Sequence, residues 1–345
     1  NLSVGEPDFN TPDHIKEAAK KAIDDNYSFY PPVAGYPVLR NAIVDKLKKQ
    51  NGLDYTPDQI VVSNGAKHSI VNVLLSIINA GDEVIIPAPY WVSYAEQVKI
   101  SEGTNVILDT DIENDFKVTP EQVQQAITPK TRAFLLCSPS NPSGCVYSKE
   151  ELEAIAGVLA PYERIIIISD EIYEHINYVG KHESIAQFDN VKERVGLVNG
   201  VSKGYAMMGW RLGYMAAPAW IAKAVTKLQG QFTSGVTTVG QIAAVTALTG
   251  DQGPTEEMKK AFRRRRDLVL GHLETIDGVK CSIPEGAFYV FPDMSAYYGK
   301  SVEGKEIKDS QDLCMYLLES GHIATVPGAA FGAPDCIRIS FANSD

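Results

Sequence analysis

The sequence lacks the patterns that define several large classes of protein. No apolar stretch reaches the roughly 18 residues that a membrane-spanning helix needs, and no signal-peptide pattern opens the chain. Neither G-x-G-x-x-G nor G-x-x-x-x-G-K-[ST] occurs, which argues against dinucleotide and nucleoside-triphosphate sites. Basic residues are outnumbered, 32 Lys and Arg against 43 Asp and Glu, for a formal net charge of −11. This balance disfavours nucleic acid or an anionic membrane as a partner.

Cysteine is scarce, and its spacing is irregular. The number of cysteines is odd, and none of them forms a C-x-x-C pair. This usage is typical of free thiols in a reducing compartment, so we expect a cytoplasmic protein in which the cysteines are small buried side chains. The five are Cys137, Cys145, Cys281, Cys314 and Cys336.

The chain does contain a regular alternation of short apolar runs and helix-length amphipathic stretches. The run from Ile165 to Ile168 is four isoleucines, and a strand that is apolar on both faces belongs in a sheet covered by helices on both sides. We therefore predict an α/β domain with a mixed, mostly parallel seven-stranded sheet. The predicted strands are 60–63, 83–87, 105–109, 133–138, 165–170, 195–200 and 212–217; the predicted helices are 12–25, 36–50, 66–80, 120–127, 149–159 and 219–229.

The pattern changes after about residue 249. A charged helix is predicted over 256–275, and its run from Arg263 to Arg266 spreads around the helix, which is more typical of a solvated surface than of a nucleic-acid site. A helix at 309–320 and a strand at 337–341 follow, which indicates a smaller α+β domain. We place the large domain at 12–250 and the small domain at 1–11 and 251–345.

Polar residues follow several of the predicted strands. Ligands of open α/β sheets bind beyond the carboxyl ends of the strands, and Asn141, Asp170 and Lys203 all lie just there. The segment from Gly65 to Lys67 opens a helix, whose backbone N–H groups form an anion site. Each of these features alone is common in proteins without any such site.

Taken together, the polar groups fit one ligand. A buried lysine that loses its proton attacks an aldehyde, and the guanidinium of Arg211 suits a phosphate. Asp170 is placed to keep a pyridine nitrogen protonated, while Tyr173 and Asn141 are donors for a ring oxygen. Pyridoxal 5′-phosphate carries all of these groups.

Eight segments of the chain, in order, resemble those of class I aminotransferases of fold type I, in the branch of the bacterial aspartate aminotransferases. The resemblance covers essentially the whole chain and implies the pyridoxal-phosphate-dependent transferase fold. The segments are VGEPDF at 4–9, YPPVAG at 30–35, PYWVSY at 89–94, SPSNPSG at 138–144, SDEIY at 169–173, SKGYAMMGWR at 202–211, VPGAAFG at 326–332 and IRIS at 337–340.

The resemblance implies a role for each cofactor-binding residue. Lys203 would attach the cofactor covalently and then carry a proton, Asp170 would pair with the pyridine nitrogen, and Trp91 would stack on the ring. Asn141 and Tyr173 would donate to the ring oxygen. The phosphate would be bound by Arg211, Ser202 and the loop that contains Gly65, Ala66 and Lys67.

The resemblance also implies a substrate site and a homodimer. Arg338 would bind the substrate α-carboxylate with Gly5 beside it, and Trp91 and Asn141 would border the same substrate. Tyr30 would reach the phosphate of the neighbouring subunit, so that the active sites are shared. We also expect cis peptide bonds at Ser138-Pro139 and Asn141-Pro142.

The preferred amino acid depends on Lys67, which in the aspartate branch meets the distal carboxylate. A charge-assisted contact of this kind contributes roughly 1.5–3 kcal/mol, so we expect L-aspartate and 2-oxoglutarate as substrates. An aminotransferase for alanine, aromatic amino acids or prephenate and a β-lyase remain alternatives, as does a non-enzymatic binding module of this fold.

The chain departs from the wider family in two respects. Gly200 stands where many members have a serine, so one phosphate-binding hydroxyl is expected to be missing. The chain also starts and stops short of the family's usual ends, and we expect the natural protein to continue at both.

Overall fold

The main sheet has seven strands, as the sequence predicts. The computed structural model of the chain describes residues 1–302 and 304–344. The strand order is β1-β7-β6-β5-β4-β2-β3. Strand β7 runs antiparallel to both neighbours and the other pairs are parallel, which confirms the mixed, mostly parallel sheet. The strands are β1 Ile60–Ser63, β2 Glu83–Pro87, β3 Thr104–Leu108, β4 Thr131–Cys137, β5 Ile166–Asp170, β6 Val195–Gly200 and β7 Gly213–Ala216.

Apolar side chains cover both faces of this sheet. Strands β1, β5, β6 and β7 are buried at every residue. Within β5, Ile167 belongs to the hydrophobic core on one side, and Ile166 and Ile168 belong to the core on the other, as the two-residue period of a strand requires. Polar groups at the strand ends are therefore held on a rigid apolar base.

Ten α-helices accompany the strands within the described residues, and two of them were not predicted. α8 is apolar around its circumference, so it shows no amphipathic period; α4 is only eight residues long. The predicted helix 36–50 is α-helical only to Lys46 and then forms a π-helical turn, Leu47–Asn51. The helices are α1 Asp13–Asp24, α2 Pro37–Lys46, α3 Ala66–Ile77, α4 Ser93–Ile100, α5 Pro120–Ala126, α6 Lys149–Leu159, α7 Ala219–Phe232, α8 Thr238–Thr249, α9 Gly253–Leu273 and α10 Ser310–Gly321.

A second, antiparallel sheet lies in the last third of the chain. Its order is β11-β12-β8, and Arg338 on β12 pairs with Val326 on β11. A two-stranded ribbon, β9 with β10, completes the strands. The predicted domain boundaries stay a prediction, and their last residue, Asp345, lies outside the described part of the chain. The strands are β8 Tyr289–Val290, β9 Ser301–Val302, β10 Lys305–Glu306, β11 Val326–Pro327 and β12 Ile337–Ser340.

The predicted cis peptide bonds are confirmed, whereas the prediction of a solvated arginine run is partly wrong. Ser138-Pro139 and Asn141-Pro142 are cis, as predicted, and so is Ala88-Pro89. The arginine run on α9 is not wholly solvated, because Arg265 is buried and binds both carboxylate oxygens of Asp8 at 2.9 and 3.0 Å. None of the helices within residues 1–302 and 304–344 combines the length and apolarity that crossing a membrane requires.

Strand β7 and the start of α3 approach each other so closely that only glycine fits at Gly213. A Cβ at this position would lie 2.5 Å from the carbonyl carbon of Gly65 and 2.9 Å from the Cα of Ala66. We therefore expect Gly213→Ala to lower the free energy of unfolding by about 1–3 kcal/mol, measured by urea denaturation. Gly157→Ala is the matched control, because a Cβ on this exposed face of α6 meets nothing within 4 Å. Equal stability of the two variants would contradict the close approach.

Candidate active site

A cavity of about 420 Å³ opens beyond the carboxyl ends of β4 and β5. All of the residues predicted for the site line this cavity except Gly65 and Tyr30. The predicted residues that the fold brings together here are Gly5, Ala66, Lys67, Trp91, Asn141, Asp170, Tyr173, Ser202, Lys203, Arg211 and Arg338.

Lys203 projects into the cavity from the loop that follows β6. Its Nζ donates a hydrogen bond to the Gly5 carbonyl oxygen at 2.6 Å. Burial lowers the pKa of the amine to about 8; Glu6 opposes this, whereas the positive charges of Arg211 and Arg338 reinforce it. A substantial fraction of the amine is therefore neutral near physiological pH, and the neutral form is the nucleophile.

Asp170 closes β5 at the base of the cavity. Its Oδ2 accepts a hydrogen bond from the hydroxyl of Tyr94 at 2.6 Å, and its Oδ1 accepts one from the N–H of Ile172 at 3.2 Å. Burial raises the pKa of this carboxyl to about 6, and the two hydrogen bonds partly offset the rise. A cationic group in the cavity would stabilise the ionised form.

Arg338 is a buried cation that also lines the cavity. Its Nη1 donates to Asn141 Oδ1 at 2.9 Å and its Nη2 to the Ser3 carbonyl at 2.6 Å. Its guanidinium lies over the rings of Tyr289 and Phe331, with centroids at 4.5 and 5.0 Å. Among the described residues no carboxylate pairs with it, and its Nε has no hydrogen-bond partner. A buried guanidinium in this state is ready to bind an anion.

The opening turn of α3 and Arg211 form the polar end of the cavity. Gly65 precedes the helix with φ +83°, and a Cβ there would lie 3.0 Å from Arg211 Cζ and overlap its Nη2. Gly65 thus does not line the cavity but allows Arg211 to approach the helix start. Together with Ser202, these groups present N–H and hydroxyl donors to an anion.

Gly200 stands in a place that admits no side chain. A Cβ there would lie 2.8 Å from the Cα of Gly213 and 2.9 Å from the carbonyl oxygen of Leu212. The expected loss of a phosphate-binding hydroxyl therefore follows from the close pairing of β6 with β7.

Lys67 and Trp91 lie together at the cavity rim. Lys67 is exposed, and its Nζ lies 4.8 Å from the centroid of the Trp91 ring. The indole packs edge-on against Tyr94, with centroids 5.4 Å apart. The cation is thus held near the ring while it remains accessible from solvent.

Four cavity residues were missed by sequence reasoning: Tyr94, Ile172, Met208 and Tyr289. Tyr94 lies three residues after Trp91, but it is on α4, a helix that had not been predicted. Tyr289 donates or accepts a hydrogen bond with the Tyr173 hydroxyl at 2.9 Å. It lies in an apolar segment whose pattern indicates a strand and carries no further signal.

Tyr30 is not part of the cavity in the single chain. It is 94% exposed, and its neighbour Phe29 is 80% exposed. Its predicted contact with the site of another subunit stays a prediction.

The lowered pKa of Lys203 predicts a distinctive reactivity. When the cofactor-free protein is incubated with a small aldehyde and the imine is reduced, labelling of Lys203 should reach half its maximum near pH 8. Lys99 is an internal control, because it is exposed and its pKa is raised by Glu96. Peptide mapping by mass spectrometry measures both sites; identical pH profiles would contradict the effect of burial.

The comparisons with known proteins agree with this geometry. The model of the family "Aminotransferase class I and II" matches residues 1–345. A bifunctional aspartate aminotransferase and glutamate/aspartate-prephenate aminotransferase from Petunia hybrida is 50% identical, over 99% of this chain and 73% of its own length. An aspartate aminotransferase from Geobacillus stearothermophilus is 45% identical, over 99% of this chain and 86% of its own.

A solved structure is similarly close. The crystal structure of the aspartate aminotransferase from Rhizobium meliloti superposes with a TM-score of 0.97 at 45% identity, over 100% of this chain and 87% of that one. The fold and the cavity define an α/β protein with a buried lysine and a buried arginine at one site. The chain belongs to the class I and II aminotransferase family, and the protein is an aminotransferase.

Proposed function

We propose that the protein transfers the amino group of L-aspartate to 2-oxoglutarate, with pyridoxal 5′-phosphate as its cofactor, giving oxaloacetate and L-glutamate. The observation that carries the proposal is the pairing, in one cavity, of a lysine whose pKa is lowered to about 8 with a buried arginine that has no acid partner among the described residues. The amine suits an aldehyde, and the guanidinium suits a substrate carboxylate.

The residues of the cavity fit this cofactor. Asp170 is a buried carboxylate that lacks a cationic partner strong enough to hold its pKa low, and a protonated ring nitrogen would supply one. Because Asn141 accepts from Arg338 through Oδ1, its Nδ2 is left to donate to the ring oxygen beside the Tyr173 hydroxyl. Trp91 offers a flat apolar face for the ring.

The phosphate would be bound by Arg211, Ser202 and the N–H groups at the start of α3, around Ala66 and Lys67. These donors have partial or full positive charge, and a helix N-terminus favours an anion. The charge of the phosphate is thus balanced without any metal ion having to be invoked.

The residues then have separate tasks. When bound, pyridoxal phosphate supplies an electron-withdrawing ring that stabilises negative charge on the substrate Cα. Arg338 binds the α-carboxylate and so orients the Cα–H bond. Lys203, once its amine is free, would remove the proton from Cα and deliver it to C4′ of the cofactor. Asp170 would pair, in its ionised form, with the ring nitrogen, and Tyr173 would donate to the ring oxygen.

Specificity for a dicarboxylate is assigned to Lys67. Its ammonium lies at the rim beside Trp91, where it can pair with the second carboxylate of aspartate or 2-oxoglutarate. The names of the Geobacillus and Rhizobium relatives support aspartate. The name of the Petunia relative favours prephenate, a bulkier dicarboxylate, as a second acceptor.

We further propose a homodimer with shared active sites, divided into a large domain (12–250) and a small domain (1–11 and 251–345), in the cytoplasm. The exposed aromatic pair Phe29 and Tyr30 supports the dimer, since large apolar side chains this exposed are unusual on a monomer. Five free cysteines among the described residues agree with a reducing compartment.

One spectral experiment tests the proposed reaction. Protein supplied with pyridoxal phosphate should absorb visible light, L-aspartate alone should bleach this absorbance, and 2-oxoglutarate should restore it, as a two-step exchange requires. Lys203→Ala should show no such cycle. Release of pyruvate and ammonia without a keto acid would identify a β-lyase instead, and faster bleaching by alanine or an aromatic amino acid would overturn the choice of aspartate.

The role of Lys67 is tested by Lys67→Met. We expect kcat/KM for aspartate to fall about tenfold or more, because a charge-assisted contact is lost, whereas kcat/KM for alanine should change little. Lys99→Met is the matched control, because Lys99 is exposed and its partner is Glu96 on the same helix. Unchanged kinetics with aspartate would refute the assignment.

The shared site predicts an effect of Tyr30 on cofactor binding. Tyr30→Phe should weaken the binding of pyridoxal phosphate without dissociating the dimer, since only a hydroxyl is lost. Equilibrium binding and analytical ultracentrifugation measure the two properties, and Tyr297→Phe is a control in which the hydroxyl donates to the Asp277 carbonyl oxygen of the same chain. A fully active monomer would contradict the proposal.

A further inference from the structure

A cluster of buried charged side chains lies behind the cavity and takes no part in the proposed chemistry. The chain turns at residues 170–176, directly after β5, and this segment is called the β5 turn below. Asp170 and Tyr173 face the cavity, whereas Glu171 and Glu174 do not line it and are only 1% and 7% exposed. Carboxylates buried this deeply require partners.

Glu171 connects the β5 turn to the segment that precedes β6. Its Oε1 accepts hydrogen bonds from Ser169 at 2.9 Å and from Ser184 at 2.6 Å, and its Oε2 contacts His182 Nε2 at 2.8 Å. Burial lowers the pKa of His182, but the Glu171 carboxylate outweighs burial, so that the pKa is raised overall. The pair therefore has the character of an ionic contact.

Glu174 connects the same turn to the end of α2. It forms a buried ion pair with Lys46, which is 3% exposed. Asn51 bridges the two, because its Oδ1 accepts from Lys46 at 2.9 Å and its Nδ2 donates to Glu174 Oε2 at 2.9 Å. The π-helical turn after α2 brings positions 46 and 51 together, and such turns occur frequently at functional sites.

His175 extends the cluster to the lysine loop, residues 201–206. Its Nε2 lies 3.2 Å from Glu174 Oε1, and its ring packs edge-on against Tyr205 with centroids 5.2 Å apart. The ring also abuts Gly204, where a Cβ would lie 2.6 Å from His175 Cδ2. Gly204 directly follows Lys203, so the cluster touches both segments that carry the reactive groups of the cavity.

A metal site does not explain these residues. Ligand atoms of Glu171, Glu174 and His182 lie within 4.8 Å of one another. However, the Lys46 ammonium already pairs with Glu174, and two hydroxyls already donate to Glu171. A divalent cation would have to displace or repel that ammonium, so the present contacts favour an ion-pair cluster.

We propose that Lys46, Glu171, Glu174 and His182 are positioning residues that anchor the β5 turn, whose His175 packs on the lysine loop, and thereby fix Asp170 relative to Lys203. The part that concerns the cofactor rests on the proposed function. The claim that the cluster holds the β5 turn in place, called the mechanical part below, does not rest on it, because this claim concerns only contacts between segments of this chain.

Hydrogen exchange in the cofactor-free protein tests the mechanical part. The double variant Lys46→Met with Glu174→Gln removes both charges and leaves neither partner as an unpaired buried charge; His182→Gln is a milder second variant. We expect about tenfold faster exchange in the β5 turn, and in the double variant also in the lysine loop. Leu159→Ala is the control, because Leu159 is a fully buried residue of α6 outside the cluster, and truncation of its side chain should lower stability.

A binding experiment on the holoenzyme tests the functional part. The dissociation constant for pyridoxal phosphate should rise about tenfold in the double variant, and the pH midpoint of its visible absorbance should shift, because Asp170 and Lys203 are no longer held together. Leu159→Ala should leave both values unchanged, which separates positioning from stability.

The outcomes are distinguishable. Exchange in the β5 turn that is no faster than in Leu159→Ala would overturn the proposal, whichever variant is compared, and so would exchange in the lysine loop of the double variant that is no faster than in Leu159→Ala. If the double variant does not fold, His182→Gln and Glu171→Gln decide by the same criterion. A wild-type protein that does not bind pyridoxal phosphate would refute the proposed function, while the hydrogen-exchange result would still decide the positioning role.

Discussion

Charge buried at the carboxyl edge of an apolar sheet is the constraint on which this site depends. Strand β5 is buried at every residue and ends in Asp170, whose carboxyl is almost out of reach of water. Burial therefore moves the pKa of Asp170 up to about 6 and that of Lys203 down to about 8. Arg338 is buried as well, without a carboxylate partner among the described residues. A ligand with anionic groups and a basic ring nitrogen supplies the charges that this edge leaves unbalanced.

Three glycines let the elements at this edge converge. Gly213 admits the start of α3, Gly65 admits the guanidinium of Arg211, and Gly200 admits the backbone of β7. At each position a Cβ would come within about 3 Å of its neighbour, a distance that real Cβ atoms do not tolerate. The shape of the polar end of the cavity therefore depends on the absence of a side chain at these three positions. A serine at position 200 would disrupt the pairing of β6 with β7.

Periodicity predicted the sheet well because its strands are short apolar runs between polar segments, as in the isoleucines of β5. It could not find α8, since this helix carries no charged residue and its apolar residues lie on all sides, so that no polar face marks its period. Missing α4 also hid the contact of Tyr94 with Asp170. The cofactor groups were suggested by residue chemistry, but the roles of Trp91 and Arg338 came from the family resemblance. The side chain of Arg265 is buried because it pairs with Asp8. Asp8 is far away in the sequence, so no local pattern could indicate this burial.

The β5 turn shows how one short segment serves two sides of the molecule. Asp170 and Tyr173 face the cavity, while Glu171 and Glu174 are held by groups from two other parts of the chain. Such contacts are worth little as net stabilisation, because desolvation of the charges offsets much of their attraction. Their directional geometry, however, leaves the turn few alternative positions. This is the property that a site needs when an acid and an amine from different loops must meet one ligand.

Burial also separates the parts of the site that are fixed from Lys67, to which we assign the choice of substrate. The groups assigned to the cofactor ring and the α-carboxylate, Asp170, Asn141 and Arg338, are all buried and tied to neighbours. Lys67 is exposed, and its ammonium lies over the ring of Trp91. A change at the buried groups disturbs the packing of the sheet edge, whereas a change at Lys67 alters one solvent-facing charge. With the proposed roles, a change at Lys67 would alter substrate preference and leave the buried groups in place, and the relatives' names, which range from aspartate alone to aspartate with prephenate, agree with that separation.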